Sequence, residues 1–141
     1  MEAITNTFVT VAPDCSVTSA VVPAARGATP TVAVIQHELL TARPYSLTHA
    51  DLIFEVHVRR AGLARAEAKS QAAAIRAELF AKPQVCMRAS PLPKQHGWGV
   101  HYDDRGRLAL YPVESVEYRE FAAGRVEGVK VVAAMRSKRA E

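Results

Sequence analysis

Cysteine is nearly absent from the sequence, since Cys15 and Cys86 are its only two and they lie far apart. Two distant cysteines make neither a disulfide framework nor a zinc site, so we expect reduced thiols. The sequence also lacks a run of about 18 apolar residues, which a membrane-spanning helix requires. Its first residues, MEAITNTFVTVAPD, lack the basic segment and the apolar core of a signal peptide. These absences predict a soluble, cytoplasmic protein with no membrane span.

The sequence has few signs of a metal or cofactor site. Its five histidines lack metal-ligand spacing, and its seven glycines match neither a dinucleotide-binding fingerprint nor a phosphate-binding loop. We therefore predict no metal and no cofactor. The net charge of +4 is mild. Such a charge favours solubility and a weak attraction to anions, and it does not by itself indicate nucleic-acid binding.

The length and composition are typical of one globular domain spanning residues 1–141. Of the 141 residues, 49% are hydrophobic and 23% are charged, which is enough to bury a core without a disulfide or a metal. Neither an internal repeat nor a low-complexity linker marks a domain boundary. We predict an α+β fold in which two to four helices cover an antiparallel sheet of about four strands. The oligomeric state does not follow from the sequence.

End signals and periodicity predict most of the elements. A helix over residues 30–42 is indicated by Thr29 as its cap and Pro30 at its first position, and it ends before Pro44. His37 lies off the apolar stripe of this helix and is interpreted as a solvated surface histidine. The other expected elements are a strand at 5–12 that could lie at a sheet edge, an alanine-rich helix at 64–81, a strand at 84–90, a helix at 114–123, and an apolar helix or strand at 129–135.

Residues 48–60 carry two conflicting patterns. Thr48 and Asp51 have the spacing of a capping box, which indicates a helix. From Leu52 onward, apolar residues alternate with polar ones, which indicates a strand. The helix is preferred because the cap supplies a physical mechanism for starting it, and the strand stays open as the alternative.

The stretch that begins at the only tryptophan predicts a β-hairpin with strands 98–103 and 107–112. A three-residue loop with Gly106 in the left-handed conformation would close it. This loop pairs Tyr102 with Leu108, and the hydrophobic pattern agrees with that register. One face then holds Trp98, Val100, Tyr102, Leu108 and Leu110, and the other holds Gly99, His101, Ala109 and Tyr111.

The second face of the hairpin predicts a binding site for an anion. His101 and Tyr111 lie there beside two small residues, and a glycine in a strand often marks a close approach of a ligand or another backbone. Arg88, on the preceding strand, would supply a bidentate clamp for a phosphate or carboxylate group. The candidate ligand-binding residues are Arg88, Ser90, Lys94, His101, Tyr111 and Arg136.

Two other function classes stay open beside an anionic small molecule as the partner. A small enzyme would use His101 as a general acid or base, with Cys86 or Glu114 assisting. A nucleic-acid-associated protein would use the basic tail and stack bases on Trp98 or Tyr111, although the mild charge does not favour this role. Ordinary structural roles, such as a surface arginine or a packed histidine, would explain the same residues without a site. No catalytic residue is assigned.

One long motif in this region resembles a known family. The run RASPLPKQHGWGVH, followed by ALY, ES and EY, is similar to an uncharacterised family of small bacterial proteins, the domain of unknown function family 6157. The likeness extends over most of the chain, including NTF near the start and AMRSKR near the end. That family has no established activity, so the resemblance implies neither a fold nor a reaction. His96 departs from the pattern, which has an aromatic residue there, and a packing or stacking role is therefore expected for it.

Overall fold

The computed structural model describes residues 4–25, 27 and 30–137, and within them the predicted α+β class is confirmed. Six α-helices accompany a four-stranded sheet, which is more than the two to four helices expected. The elements are β1 (Thr7–Thr10), α1 (Val32–Ala42), α2 (His49–Ala61), α3 (Arg65–Ser70), α4 (Ala72–Phe80), a 3-10 turn (Met87–Ala89), α5 (Pro91–Gln95), β2 (Trp98–Tyr102), β3 (Leu108–Pro112), α6 (Val116–Ala122) and β4 (Lys130–Ala133).

The sheet is mixed, so the prediction of a purely antiparallel sheet is wrong. Its strand order is β3-β2-β1-β4, and β4 pairs with β1 in parallel while the other two pairs are antiparallel. The connection from β3 through α6 crosses to the far edge, and such crossovers are how parallel neighbours are joined. β1 therefore lies inside the sheet, not at the edge where the sequence allowed it. The ambiguous segment 129–135 forms strand β4.

The hairpin of β2 and β3 has the predicted register. Tyr102 faces Leu108 and Val100 faces Leu110 across the two strands. Gly106 closes the loop at a φ of +78°, in the left-handed region that glycine occupies without strain. Turn chemistry and hydrophobic alternation specify the same pairing, and a one-residue slip would exchange the two faces of the hairpin.

One face of the sheet forms the main core. Val9, Val100 and Tyr102 are at most 1% exposed. They pack with apolar side chains of α1, α2 and α5, among them Ile35 and Leu92. Burial of each such side chain is worth about 1.5–3 kcal/mol relative to exposure. The opposite face is covered by α6, and this second layer contains the predicted histidine and tyrosine.

The first two helices begin at side-chain caps. α1 starts at Thr31, whose hydroxyl accepts the N–H of Val34, whereas the predicted cap Thr29 lies outside the described residues. In α2, Thr48 and Asp51 form the reciprocal capping box, so the helical reading of residues 48–60 is confirmed. α2 ends at Gly62, which has a φ of +68°.

The alanine-rich helix expected over 64–81 is broken at Gln71 into α3 and α4. Gln71 has a φ of −107°. The Ser70 hydroxyl donates to the Glu67 carbonyl at 3.1 Å, and serine bonds of this kind compete with regular helical bonding. Ala68, Ala72, Ile75 and Leu79 recur at helical spacing, but only Ala68 is buried, and α4 has no buried residue.

The strand expected over 84–90 is absent from the structure. Residues there form the 3-10 turn, which places Met87 in the core, where its N–H donates to the Tyr102 hydroxyl at 3.3 Å. Ser90 then caps α5, and Pro91 occupies the first turn, where the missing N–H costs nothing. Pro91 and Pro93 therefore lie in a short helix that directly follows the 3-10 turn. Among the described residues, no helix has both the length and the apolarity to cross a bilayer.

Candidate functional site

Tyr45 links two predicted site residues of the sheet, His101 and Tyr111, in one hydrogen-bonded chain. Its hydroxyl oxygen lies 2.8 Å from His101 Nδ1 and 2.6 Å from the Tyr111 hydroxyl oxygen. Tyr45 has a φ of +59°, which is unusual for a bulky residue. Its N–H donates to the Leu108 carbonyl at 2.8 Å. The loop between α1 and α2 is thereby fastened to β3, and its tyrosine reaches over the second face of the sheet.

Phe121 of α6 covers this chain of polar groups. Its ring centroid lies 4.4 Å from that of His101 and 5.3 Å from that of Tyr111. It also stacks on Phe8 of β1 at 4.7 Å. The small residue Gly99 allows this layer to approach, because a Cβ there would lie 2.7 Å from the ring of Tyr118. The glycine in the strand therefore marks the approach of an aromatic side chain of the same molecule.

Burial favours the neutral form of the His101 imidazole. It lowers the pKa of His101 below the ordinary 6.5, and the nearby Asp103 carboxylate opposes this to a smaller extent. Burial, with the hydrogen bond to Tyr111 as a further cause, raises the pKa of Tyr45 well above 10. His101 Nε2 is buried and has no hydrogen-bonding partner within the described residues.

Acid–base catalysis requires a ring nitrogen within reach of a substrate. In His101, Nδ1 is bonded to Tyr45 and Nε2 is buried. The arrangement therefore suits a structural hydrogen-bond chain that fastens the α1–α2 loop to the sheet.

Arg88 lies beside β4, on the 3-10 turn. Its Nε donates to the Ala133 carbonyl at 2.7 Å, and its own carbonyl accepts the N–H of Met135 at 2.9 Å. These bonds satisfy backbone groups at the exposed edge of the sheet, a common site of unwanted strand pairing. The two terminal nitrogens of the guanidinium make no hydrogen bond within the described residues.

Ser90, Lys94 and Arg136 occupy three different settings. The Ser90 hydroxyl accepts the N–H of Leu92 at 3.2 Å and donates to Oε1 of Gln36 at 2.6 Å, and Ser90 is 6% exposed. Lys94 is half-buried on α5, and Arg136 is exposed just beyond β4. Ser90 thus already has both its hydrogen-bonding roles filled by the protein.

The predicted site residues form two groups that do not meet in one cleft. His101 and Tyr111 come together near the β3 edge through Tyr45, whereas Arg88 lies at the β4 edge, with β1 in between. The sheet therefore does not bring all of these residues into a single site. A role in ligand binding stays a prediction for each of these residues.

Trp98 and His37 form a further contact on the core side of the sheet. The two rings meet edge to face, with centroids 4.8 Å apart, and Trp98 Nε1 donates to the Val21 carbonyl at 2.9 Å. His37 is half-buried and its Nε2 is inaccessible, so the solvated histidine expected from the sequence is wrong. Trp98 thereby ties the loop before α1 to strand β2.

A cavity of about 670 Å³ lies between α2, α3 and the start of α4. We call it the α2–α4 cavity. Its charged lining residues are three cations, Arg59, Arg65 and Lys69, and one carboxylate, Glu55. The rest of its lining is mainly apolar and comprises Phe54, Val58, Gly62, Leu63, Ala68 and Ala72. The cavity thus combines an apolar interior with a mainly cationic rim.

A second cavity of about 410 Å³ lies between α1 and α2 and shares Glu55, Arg59 and Arg65 with the first. We call it the α1–α2 cavity. Its remaining lining is more polar and comprises Glu38, Leu39, Ala42, Arg43, Ser46 and Leu47. Within the described residues, no group of three or more histidine, cysteine, aspartate or glutamate side chains could hold a metal ion.

The sequence interpretation missed Tyr45 and the α2–α4 cavity. Nothing in the Arg43-Pro44-Tyr45 segment signals a positive φ, because glycine or asparagine normally occupies such positions. For the cavity a signal was available. Ala68 and Ala72 are small and lie one helical turn apart, and Arg65 and Lys69 form a neighbouring stripe at the same spacing, so an apolar surface with a basic border was compatible with the pattern.

Comparison with known proteins identifies one similarity. The model of a family of unknown function, DUF6157, matches residues 2–140. Neither the curated proteins nor the solved structures yielded a match.

Proposed function

The chain belongs to the family of unknown function DUF6157, and from its geometry we propose that it binds a small anionic molecule. One observation carries this proposal, the α2–α4 cavity with three cations and one carboxylate in its lining. Small-molecule sites are concave, mostly apolar and about 300–1,000 Å³ in volume. The cavity meets each of these criteria, and its surplus of positive charge favours a negative ligand.

The cations at the rim are available to such a ligand. Arg65 and Lys69 take part in no ion pair within the described residues. Arg59 is paired with Glu38 at 3.0 Å, and the two side chains are 42% and 59% exposed. An ion pair this exposed is worth about 0–1 kcal/mol. An incoming phosphate or carboxylate can therefore replace Glu38 as the partner of Arg59 at little cost.

The residues predicted on the sheet support the proposal less well than the cavity does. An anion at Arg88 would meet an exposed guanidinium at a strand edge, with no enclosing wall among the contacts described above. Neither ring nitrogen of His101 is free for a ligand, because Nδ1 is bonded to Tyr45 and Nε2 is buried. Binding through Arg88, Ser90, Lys94, His101, Tyr111 and Arg136 stays a separate prediction, and the same experiment can test it.

Calorimetric titration with butyl phosphate tests the proposal. The double variant Arg65→Gln/Lys69→Gln removes two rim cations and should weaken binding about tenfold or more, since hydrogen bonds to charged groups contribute about 1.5–3 kcal/mol. Arg60→Gln is the matched control. It removes an exposed arginine of α2 that lies outside both cavity linings, and it should leave the affinity within about twofold.

Two results would contradict the proposal. If butyl phosphate, inorganic phosphate and acetate all fail to bind the wild type, the protein does not bind small anions as stated. If binding occurs but is abolished by Arg88→Ala and unaffected by the double variant at the rim, the anion site lies at the β4 edge and not in the α2–α4 cavity.

A further inference from the structure

The α2–α4 cavity and the α1–α2 cavity meet along one face of α2. Glu55 and Arg59 of α2 and Arg65 of α3 line both, so the two cavities adjoin at these three side chains, which we call the junction. On the α4 side of the junction the lining is mainly apolar, and on the α1 side it is mainly polar. We call the pair of cavities the α2 groove. Its two halves present different chemistry to the two ends of one molecule.

The apolar half is lined by a satellite core that is only partly covered. Phe54, Val58 and Ala68 are buried there, while Leu63 and Ala72 pack against them and remain partly exposed. α4 contributes Ala72 and Ile75 to this cluster, but it has no buried residue, so its covering of the apolar half is incomplete. An apolar ligand segment would bury surface that the protein leaves in contact with water.

The junction holds two cations, Arg59 and Arg65, and one carboxylate, Glu55. Arg65 has no ion-pair partner within the described residues, and Arg59 reaches across to Glu38 on α1. Two arginines from different helices can grip a phosphate or carboxylate with several parallel hydrogen bonds, which lysine cannot match in geometry. A buried anion lacking such partners would be strongly disfavoured, so the anionic end of a ligand belongs at this junction.

Helices α3 and α4 are attached to α2 by few polar links. Arg76 of α4 pairs with Asp51 at 3.1 Å, and its guanidinium lies 4.5 Å from the ring centroid of Phe54. The pairing atoms are on side chains that are 37% and 36% exposed. A ligand between α2 and α3 would add contacts where the described residues make few polar ones, and it would reduce local opening of this region.

We infer that the α2 groove selects an amphipathic anion, with its charged head on Arg59 and Arg65 and its hydrocarbon part in the apolar half beside Phe54 and Val58. This inference rests on the proposed function and narrows the ligand class. A small hydrophilic anion would use only the junction. A neutral apolar molecule would use only the other half. The amphipathic anion is the one class that engages both.

A series of alkyl phosphates from ethyl to octyl, used below their micellar concentrations, tests the inference by calorimetric titration. Affinity should rise about threefold to fourfold per added methylene, the gain expected when each one leaves water, until the apolar half is filled. Octanol, which has the same chain but no charge, should bind at least tenfold more weakly than octyl phosphate. Hydrogen exchange should slow over residues 65–80 in the octyl phosphate complex.

Two matched variants locate the alkyl chain of the ligand. Ala72→Phe fills the apolar half and should reduce the gain between ethyl and octyl phosphate, while Ala73→Phe adds the same ring at an exposed neighbouring position outside the lining and should leave that gain unchanged. Far-ultraviolet circular dichroism checks that both variants are folded. If Ala72→Phe does not fold, hydrogen exchange in the wild type locates the alkyl chain, because slowing over residues 65–80 is expected only when the chain lies in the groove, and slowing elsewhere overturns the inference.

The outcomes separate this inference from the proposed function. If all the phosphates bind with the same affinity regardless of chain length, the protein is an anion binder but the inference is wrong. If affinity rises equally with alkyl length in Ala72→Phe and Ala73→Phe, the alkyl chain lies outside the α2 groove, and this result also overturns the inference. If octyl phosphate and inorganic phosphate both fail to bind, the proposed function fails as well.

Discussion

Replacing Tyr45 by phenylalanine should destabilise the protein by about 2–3 kcal/mol. The hydroxyl takes part in two hydrogen bonds, with His101 Nδ1 and with the hydroxyl of Tyr111. Each neutral bond contributes about 1 kcal/mol net, and a buried group left without a partner costs about 1–3 kcal/mol. After the substitution neither nitrogen of His101 would have a partner among the described residues, because Nε2 has none already.

Urea unfolding followed by circular dichroism measures this loss. Tyr111→Phe is the comparison, since it removes only the outer bond of the chain and leaves His101 with its partner, and it should cost about 1 kcal/mol. Both losses are smaller than the stability of an ordinary domain, about 5–15 kcal/mol, so both variants should fold. A loss below about 0.5 kcal/mol in Tyr45→Phe, or equal losses in the two variants, would refute the role given to Tyr45.

Two further predictions concern the second face of the sheet and the buried histidines. Gly99→Ala should lower the unfolding free energy by about 1–3 kcal/mol, because the new Cβ would lie 2.7 Å from the ring of Tyr118. An unchanged midpoint of urea unfolding would contradict this prediction. Stability should also fall on acidification. Burial lowers the folded-state pKa of three histidines, which are His37, His49 and His101. The unfolded chain then binds more protons than the folded one below about pH 6.5, so this stability is fully present above that pH and is lost as the pH falls toward the lowered values. The urea midpoint should be lower at pH 5.5 than at pH 7.5, and a midpoint that is flat or rises on acidification would show that these histidines do not couple to folding.

Local signals sufficed for the hairpin and for α2. The loop ending in Gly106 sets a register, and the alternation of residues in β2 and β3 independently requires the same one. In α2 the capping box decided between helix and strand, because Thr48 and Asp51 satisfy each other's backbone N–H groups only at the start of a helix. In both cases two local sequence signals specify the same structure, so the prediction needs no contact between residues that are distant in sequence.

Distant contacts decided what the sequence did not reveal. The segment at 84–90 looks extended, yet it turns because Met87 is packed in the core and bonded to Tyr102. The direction of β4 depends on the crossover through α6 and not on its own residues. The residues predicted to share one site lie in two places for the same reason, since the expected geometry assumed that Arg88 lay on a strand beside His101.

The α2–α4 cavity illustrates the same limit. Its basic and alanine positions can be read from the sequence, but the space between them depends on the break at Gln71 and on how α3 lies across α2. Apolar periodicity describes which residues face inward and carries no information on whether the facing surfaces fill the gap between them. A space of this kind becomes visible only when both helices are placed.

Mapping backbone amide shifts by nitrogen-15 nuclear magnetic resonance during titration with butyl phosphate tests anion binding in the α2–α4 cavity most directly. The largest shifts are expected at the end of α2, along α3 and at the first turn of α4, over residues 54–72, with Arg88, His101 and Arg136 unaffected. Shifts centred on the β4 edge or on the Tyr45 chain, or no saturable shift anywhere, would contradict the proposed function.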